Sequence, residues 1–213
     1  MSERHSNGAS LRLAHGWRLA GAPAEVIREF VRPALRAVPG SIAARLGVCR
    51  IRLAARLGGA DLASQWSQSE AGLEIEVATG GIEGHDVAME LLLCLGQALW
   101  ERAGPRNREA YLKLLWEEIE AGVCGEIDEE ALREKSRLLA SRVAASSRRR
   151  LEAYARASFA GTVAEYIHCL WHDVTVRSGP DYLPAQRLRR RLELMAKWFP
   201  PDRGYRLFPR RRR

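Results

Sequence analysis

Two short stretches of the chain carry side chains whose types and spacing suit metal chemistry. In the first, His85 and Asp86 stand side by side at the start of a long apolar run. In the second, AEYIHCLWHD, the side chains of Glu165, His168 and His172 fall on one face of a helix. Imidazole and carboxylate groups are common protein ligands of zinc and other divalent transition metals.

The spacing along the second stretch decides which of these groups can share one ion. Glu165 and His168 are one helical turn apart, so both can reach the same ion. Glu165 and His172 are separated by about 10 Å along a helix axis, which is too far without an intervening partner. We predict that these groups form a buried hydrogen-bonded cluster inherited from a metal-binding ancestor. The alternative is a displaced metal site made by His85, Glu165 and His168.

Residues 80–100 form the stretch around which the rest of the chain is organised. Within it, only Glu90 is polar over residues 87–95, and a helix that is apolar on all sides is buried on all sides. Before it, residues 49–56 and 72–79 alternate apolar and polar side chains, which predicts half-buried strands. We predict an α+β fold, mostly helical, with a small N-terminal β-sheet packed on a central buried helix.

Two strands, a glycine turn and a buried helix that opens with His-Asp resemble the zinc-bearing part of a zincin metallopeptidase. The resemblance is one of pattern and order, and it covers roughly residues 42–200. It includes the stretches ASFAGTVAEYIHCLWHDV and LRRRLELMAKWFPP, which look like the third-ligand helix and the final helix of small bacterial zincin-like proteins. The resemblance implies a zincin-like domain with its zinc position at the start of the central helix.

The residues at the zincin positions imply a decayed site. Zincins carry His-Glu-x-x-His on one helix, where two imidazoles bind zinc and the glutamate activates the bound water. On this resemblance the first ligand is kept as His85, the catalytic base is shortened to a vestigial Asp86, and the second ligand becomes Met89. A thioether binds zinc poorly. The third-ligand position falls on Gly161, which leaves Glu165 as a largely structural carboxylate.

Length and composition predict a single domain. The chain has 213 residues, of which 46% are hydrophobic, and a chain of this size can bury a core without disulfides or metal. We predict a flexible N-terminal segment over residues 1–21, one zincin-like domain over 22–201 and a basic C-terminal tail over 202–213. The third-ligand-like helix is expected over residues 161–174. The four cysteines form no Cys-x-x-Cys pair, which argues against a zinc ribbon or a dithiol redox motif.

The N-terminus lacks the apolar segment of a signal peptide, and no stretch of 18 apolar residues occurs. We therefore expect a cytoplasmic protein that does not bind membranes. Neither a G-x-x-x-x-G-K phosphate loop nor a G-x-S-x-G nucleophile elbow is present.

The charge balance is basic, with 34 Lys and Arg against 26 Asp and Glu and a formal net charge of +8. The arginines cluster at residues 148–150, 187, 189–191 and 210–213. Such clusters attract phosphate-bearing partners without sequence specificity. A solvated helix face and a basic tail explain the same residues without any partner.

These observations predict a catalytically decayed zincin-like metallopeptidase homologue with a binding or scaffold role towards an unknown protein partner. No cofactor is expected, although zinc is possible. The first alternative is an active metal-dependent hydrolase with a rearranged site of His85, Glu165 and His168. The second is a basic protein that associates with nucleic acid through its arginine clusters.

Overall fold

The computed structural model describes residues 10–21, 23–58, 62–140, 144–172 and 179–208, with only the backbone described for residues 144–147. The strands are β1 Leu11–Arg12, β2 Arg18–Ala20, β3 Cys49–Ala54, β4 Ser64–Ser69 and β5 Gly72–Ala78. The first helix, α1 Ala24–Val26, continues through a π-helical turn Ile27–Val31 into α2 Arg32–Ala37. The remaining helices are α3 Gly40–Leu46, α4 Gly84–Glu101, α5 Pro105–Glu120, α6 Glu129–Leu139, α7 Ala144–Trp171 and α8 Ala185–Trp198. The predicted class, α+β and mostly helical, is confirmed.

The five strands form one mixed sheet in the order β1-β2-β3-β5-β4. Strands β2, β3 and β5 run parallel, and the edge strands β1 and β4 are antiparallel to their neighbours. In register, Ile51 of β3 lies beside Ile75 of β5, and both are buried. The alternation of the sequence therefore turns one apolar face of the sheet towards the core, as a half-buried strand requires.

Residues 10–21 belong to the folded domain, although the sequence places them in a flexible segment. They form β1, a 3-10 turn at Ala14–Gly16 and β2, and they bury Trp17 and Leu19. The indole Nε1 of Trp17 donates a hydrogen bond to the carbonyl of Gly47 at 2.9 Å. At the other end, the carboxylate of Asp202 accepts a hydrogen bond from the amide of Gly40 at 3.0 Å, so the predicted tail also begins inside the packed structure.

The helix α4 is the central element that the apolar run predicts. Its side chains Leu91, Leu92 and Leu95 have no exposed surface. It crosses α7 closely at Gly96, where an added Cβ atom would lie only 2.7 Å from the carbonyl oxygen of Ala160. The missing side chain of Gly96 therefore sets how near the two longest helices approach. No helix in the described ranges is both long enough and apolar enough to cross a lipid bilayer.

The predicted start of a separate helix at residue 161 is wrong, because α7 passes through Gly161 without a break. Glycine in a helix interior usually costs about 1 kcal/mol relative to alanine. Here a Cβ atom at Gly161 would overlap Oδ2 of Asp128, the residue that caps α6. The glycine thus makes room for a helix cap, whose Oδ1 accepts a hydrogen bond from the amide of Ala131 at 2.9 Å.

A buried ionic network joins the last four helices. The guanidinium of Arg191, on α8, donates from Nη1 to Glu126 at 2.8 Å and from Nε to Glu118 at 3.1 Å. Lys135 of α6 donates to Glu126 at 3.2 Å. All four side chains are at least 99% buried, and their two positive and two negative charges cancel. Burial acts to raise the pKa of Glu126, but Arg191 and Lys135 hold that pKa below its usual value.

The network changes the interpretation of the arginine cluster at residues 189–191. Arg191 has no surface for a partner, because it is wholly buried. Its exposed neighbours are both paired, Arg189 with Glu193 at 2.8 Å and Arg190 with Glu117 at 2.5 Å. This run therefore does not form a free basic surface. Residues 210–213 lie outside the described residues.

We expect Arg191→Met to lower the free energy of unfolding by about 3–5 kcal/mol, because it leaves buried carboxylates without their counter-charge. Urea unfolding at neutral pH measures the change. Arg189→Met on the exposed side of the same helix is the matched control and should change stability by less than about 1 kcal/mol. Equal effects of the two substitutions would contradict the structural role of Arg191.

We expect Gly96→Ala to destabilise the protein by about 1–3 kcal/mol, because the new methyl group meets the backbone of α7. Thermal and urea melts provide the measurement. Gly58→Ala is the control, since no atom of the described residues lies within 4 Å of its added Cβ. A Gly96→Ala protein as stable as the control would show that the crossing has room to spare.

The cap residue Asp128 makes a prediction about pH. Burial raises the pKa of its carboxyl group to about 6, and its Oδ2 is buried without a hydrogen-bond partner in the described residues. Because the pKa of this group is higher in the folded than in the unfolded protein, the folded state binds the proton more tightly. The stabilisation that comes from the protonated carboxyl group is therefore complete below the unfolded pKa of about 3.9 and is lost as pH rises through about 6.

Between pH 4.5 and 7.5 we therefore expect the wild type to lose about 2 kcal/mol of stability relative to Asp128→Asn, which does not titrate. Chemical denaturation of both proteins across that range is the measurement. A stability difference that stays constant with pH would contradict the raised pKa.

Candidate metal centre

The crossing of α4 and α7 brings together histidines that are far apart in the sequence. His85 stands in the first turn of α4, and His168 stands in the last turn of α7. His172 follows one turn later, where its amide donates to the carbonyl of His168 at 2.9 Å. The imidazoles are grouped at one end of the helix pair, beside the indole of Trp171.

The three imidazole rings lie close to one another. Nε2 of His85 lies 3.0 Å from Nε2 of His168. The ring centroids are 5.0 Å apart for His85 and His168, 5.6 Å for His85 and His172, and 5.2 Å for His168 and His172. The structure therefore adds His172 to the predicted residues.

Two carboxylates, those of Glu165 and Asp86, lie beside the Nδ1 atoms of His168 and His85. Oε2 of Glu165 is 3.3 Å from Nδ1 of His168, and Oδ1 of Asp86 is 3.6 Å from Nδ1 of His85. Glu165, which the sequence offers as a metal ligand, lies beside Nδ1 of His168, and the facing atom of that ring is Nε2. Glu165 can orient His168 instead, as carboxylates behind metal-bound histidines do.

The two facing nitrogen atoms need a proton or a metal ion between them. A neutral imidazole has one N–H group and one lone pair. A proton placed on each Nδ1 leaves two Nε2 lone pairs facing each other at 3.0 Å, and lone pairs at this distance repel. A proton on one Nε2, which then donates a hydrogen bond to the other Nε2, removes the repulsion, and so does a metal ion bound to both nitrogen atoms.

The spacing is close to that of imidazoles on a tetrahedral metal ion. With zinc–nitrogen bonds of about 2.0–2.1 Å, two bound nitrogen atoms lie about 3.3 Å apart and their ring centroids about 5.2 Å apart. As the side chains are placed, no group of three or more His, Cys, Asp or Glu residues in the described ranges could hold a metal ion. Nε2 of His85 and Nε2 of His168 must therefore separate by a few tenths of an ångström to admit an ion.

The surroundings of the cluster are partly apolar and open on one side. The side chain of His85 is 32% exposed and that of His168 is 11% exposed, so solvent reaches the cluster past His85. Trp171 covers it, with a buried Nε1 that has no hydrogen-bond partner among the described residues. Cys169 is not a ready ligand. Burial raises the pKa of its thiol well above the usual value, and the protonated Sγ donates to Glu165 at 3.7 Å.

The other zincin positions are not assembled at the imidazoles. Asp86 is 63% exposed and faces Nδ1 of His85, away from the facing Nε2 atoms. Met89 is partly buried and packs against the core. Gly161 lies about 10 Å before His168 along α7, beside Asp128. A glutamate at position 161 would collide with the α6 cap.

The signal that could have found His172 is its spacing from His168, since residues four apart on a helix project side by side. No protein-family model, no curated protein and no solved structure matches this chain. The zincin-like resemblance stays a prediction from the order of elements and the position of His85.

Proposed function

We propose that this protein binds one transition-metal ion through His85, His168 and His172 and uses the loaded site for binding, not for peptide hydrolysis. The observation that carries the proposal is the pair of Nε2 atoms that face each other at 3.0 Å while both Nδ1 atoms face carboxylates. In this proposal the chain is a zincin-like protein whose metal ligands have moved from the positions of Met89 and Gly161 to His168 and His172, at the C-terminal end of α7.

The donor set selects the class of metal. Imidazole nitrogen suits Zn²⁺, Cu²⁺, Ni²⁺ and Fe²⁺, whereas Mg²⁺ and Ca²⁺ prefer oxygen ligands. Zinc is the first candidate because three imidazoles leave a fourth tetrahedral position for an external ligand. That position would face the side of the cluster where His85 is exposed. A carboxylate or imidazole of a partner protein could complete the coordination there.

The position of the carboxylates supports a binding role. A zincin needs a carboxylate beside the metal-bound water to accept its proton. Asp86 and Glu165 are both placed at Nδ1 atoms, behind the rings that would hold the ion. In their described positions neither is placed to serve as this base. We therefore expect no peptidase activity from the metal-loaded protein.

Metal analysis of protein purified without chelator tests the proposal, together with zinc titration after chelator treatment. We expect one ion per chain in the wild type, and loss of that ion in His85→Ala, His168→Ala and His172→Ala. Glu165→Gln should weaken metal binding about 10–100-fold, because the second-shell partner of His168 is lost. His15→Asn is the control, because His15 is exposed outside the cluster and asparagine tolerates its positive φ of 59°.

Cobalt substitution gives a second readout, since a tetrahedral site with nitrogen ligands absorbs visible light and a shared proton does not. Absence of metal from the wild type, or retention of metal by His168→Ala, would overturn the proposal. Peptide hydrolysis that requires metal and disappears in His85→Ala would favour the active-hydrolase alternative.

A further inference from the structure

A second site candidate lies away from the histidines, in a cleft between the N-terminal edge of the sheet and α2. The cleft has a volume of about 220 Å³. Three arginines and three apolar residues line it. The lining residues are Arg12, Leu13, Ala14, Arg32, Leu35 and Arg36.

The side chains of the three cleft arginines are unpaired. No hydrogen bond or ion pair from the side chain of Arg12, Arg32 or Arg36 is present within the described residues. By contrast, Arg28, Arg50, Arg52 and Arg190 each form an ion pair with a glutamate. No acidic residue lines it.

The local structure holds these three charges together. Arg32 and Arg36 are one turn apart on α2 and flank Leu35, whose side chain is fully buried. Arg12 enters from β1 on the other side. Like charges four residues apart on a helix are destabilising by a few tenths of a kcal/mol, and no carboxylate in the described structure offsets them. The arrangement has the properties of an anion site.

We propose that this cleft binds a phosphate group through Arg12, Arg32 and Arg36. Guanidinium groups match phosphate oxygens with paired N–H donors, and several of them together favour an anion that has more than one acceptor edge. Leu13, which is only partly buried, would contact an apolar part attached to the phosphate. The site is independent of the proposed metal centre, and its arginines lie outside the clusters that the sequence singles out.

The phosphate can belong to a small phosphate ester or to the backbone of a nucleic acid. Arg18, which pairs with Arg12 in the sheet register, is exposed and extends the positive surface. The two sources differ in their dependence on salt, because a polyanion releases several counterions on binding and a single phosphate does not.

Isothermal titration of the full chain with inorganic phosphate, a nucleoside monophosphate and a short DNA duplex tests the proposal. The chelator-treated His168→Ala protein is used, so that a bound metal ion cannot supply the anion site. We expect saturable phosphate binding that Arg32→Gln and Arg36→Gln each weaken at least about tenfold. Arg28→Gln, which removes an exposed and paired arginine upstream on the same helical segment, should leave the binding unchanged.

The comparison of probes identifies the source of the phosphate. Preference for the monophosphate indicates a small phosphate ester, whereas tighter duplex binding with a steep salt dependence, lost in Arg32→Gln, indicates nucleic acid. Thermal melts confirm that the variants are folded, and Arg12→Gln on the exposed edge strand gives a third variant. No saturable binding of any probe, or equal loss in Arg28→Gln, would overturn the proposal.

Discussion

The close crossing of α4 and α7 is the constraint on which the rest of the structure depends. At Gly96 the backbone of α4 contacts the backbone of α7 at Ala160, because glycine has no side chain to hold the two helices apart. The sheet packs against α4, and the ionic network is attached to α7 through Ser158. The same crossing sets the distance between His85 and His168 at the end of the helix pair. Core packing and site geometry are therefore two results of one helix contact.

The domain contains two polar clusters that are satisfied to different degrees. In the network around Arg191, donors meet acceptors and the charges cancel, which is what a buried polar group needs in order to be structural. At His85 and His168 a carboxylate lies beside Nδ1 of each ring, and the two facing Nε2 atoms share a single contact whose donor depends on the tautomer. The two clusters therefore differ in how fully their polar groups are paired, and this difference distinguishes the structural network from the candidate site.

Much of the core could be predicted from the sequence, because long elements repeat their pattern. The run after His85 predicts α4, and the alternation before it predicts β3 and β5. The strands β1 and β2 have two and three residues, too few to show a period, so their burial could not be predicted. Gly161 looks like a helix break until its contact with Asp128 is known. Helical spacing placed Glu165 on the correct face but could not tell which nitrogen atom of His168 it meets.

The position of Arg191 late in the chain has a consequence for how the protein is made. Its partners Glu118 and Glu126 precede it by 73 and 65 residues. On the ribosome, α5, α6 and α7 are complete before α8 exists, and their carboxylates still require water. The packing of these four helices can therefore form only after α8 emerges from the ribosome. Limited proteolysis of stalled nascent chains would show whether the chain becomes resistant to protease at that length. A chain cut short before α8 would keep its intended interior hydrated and open to quality-control proteases.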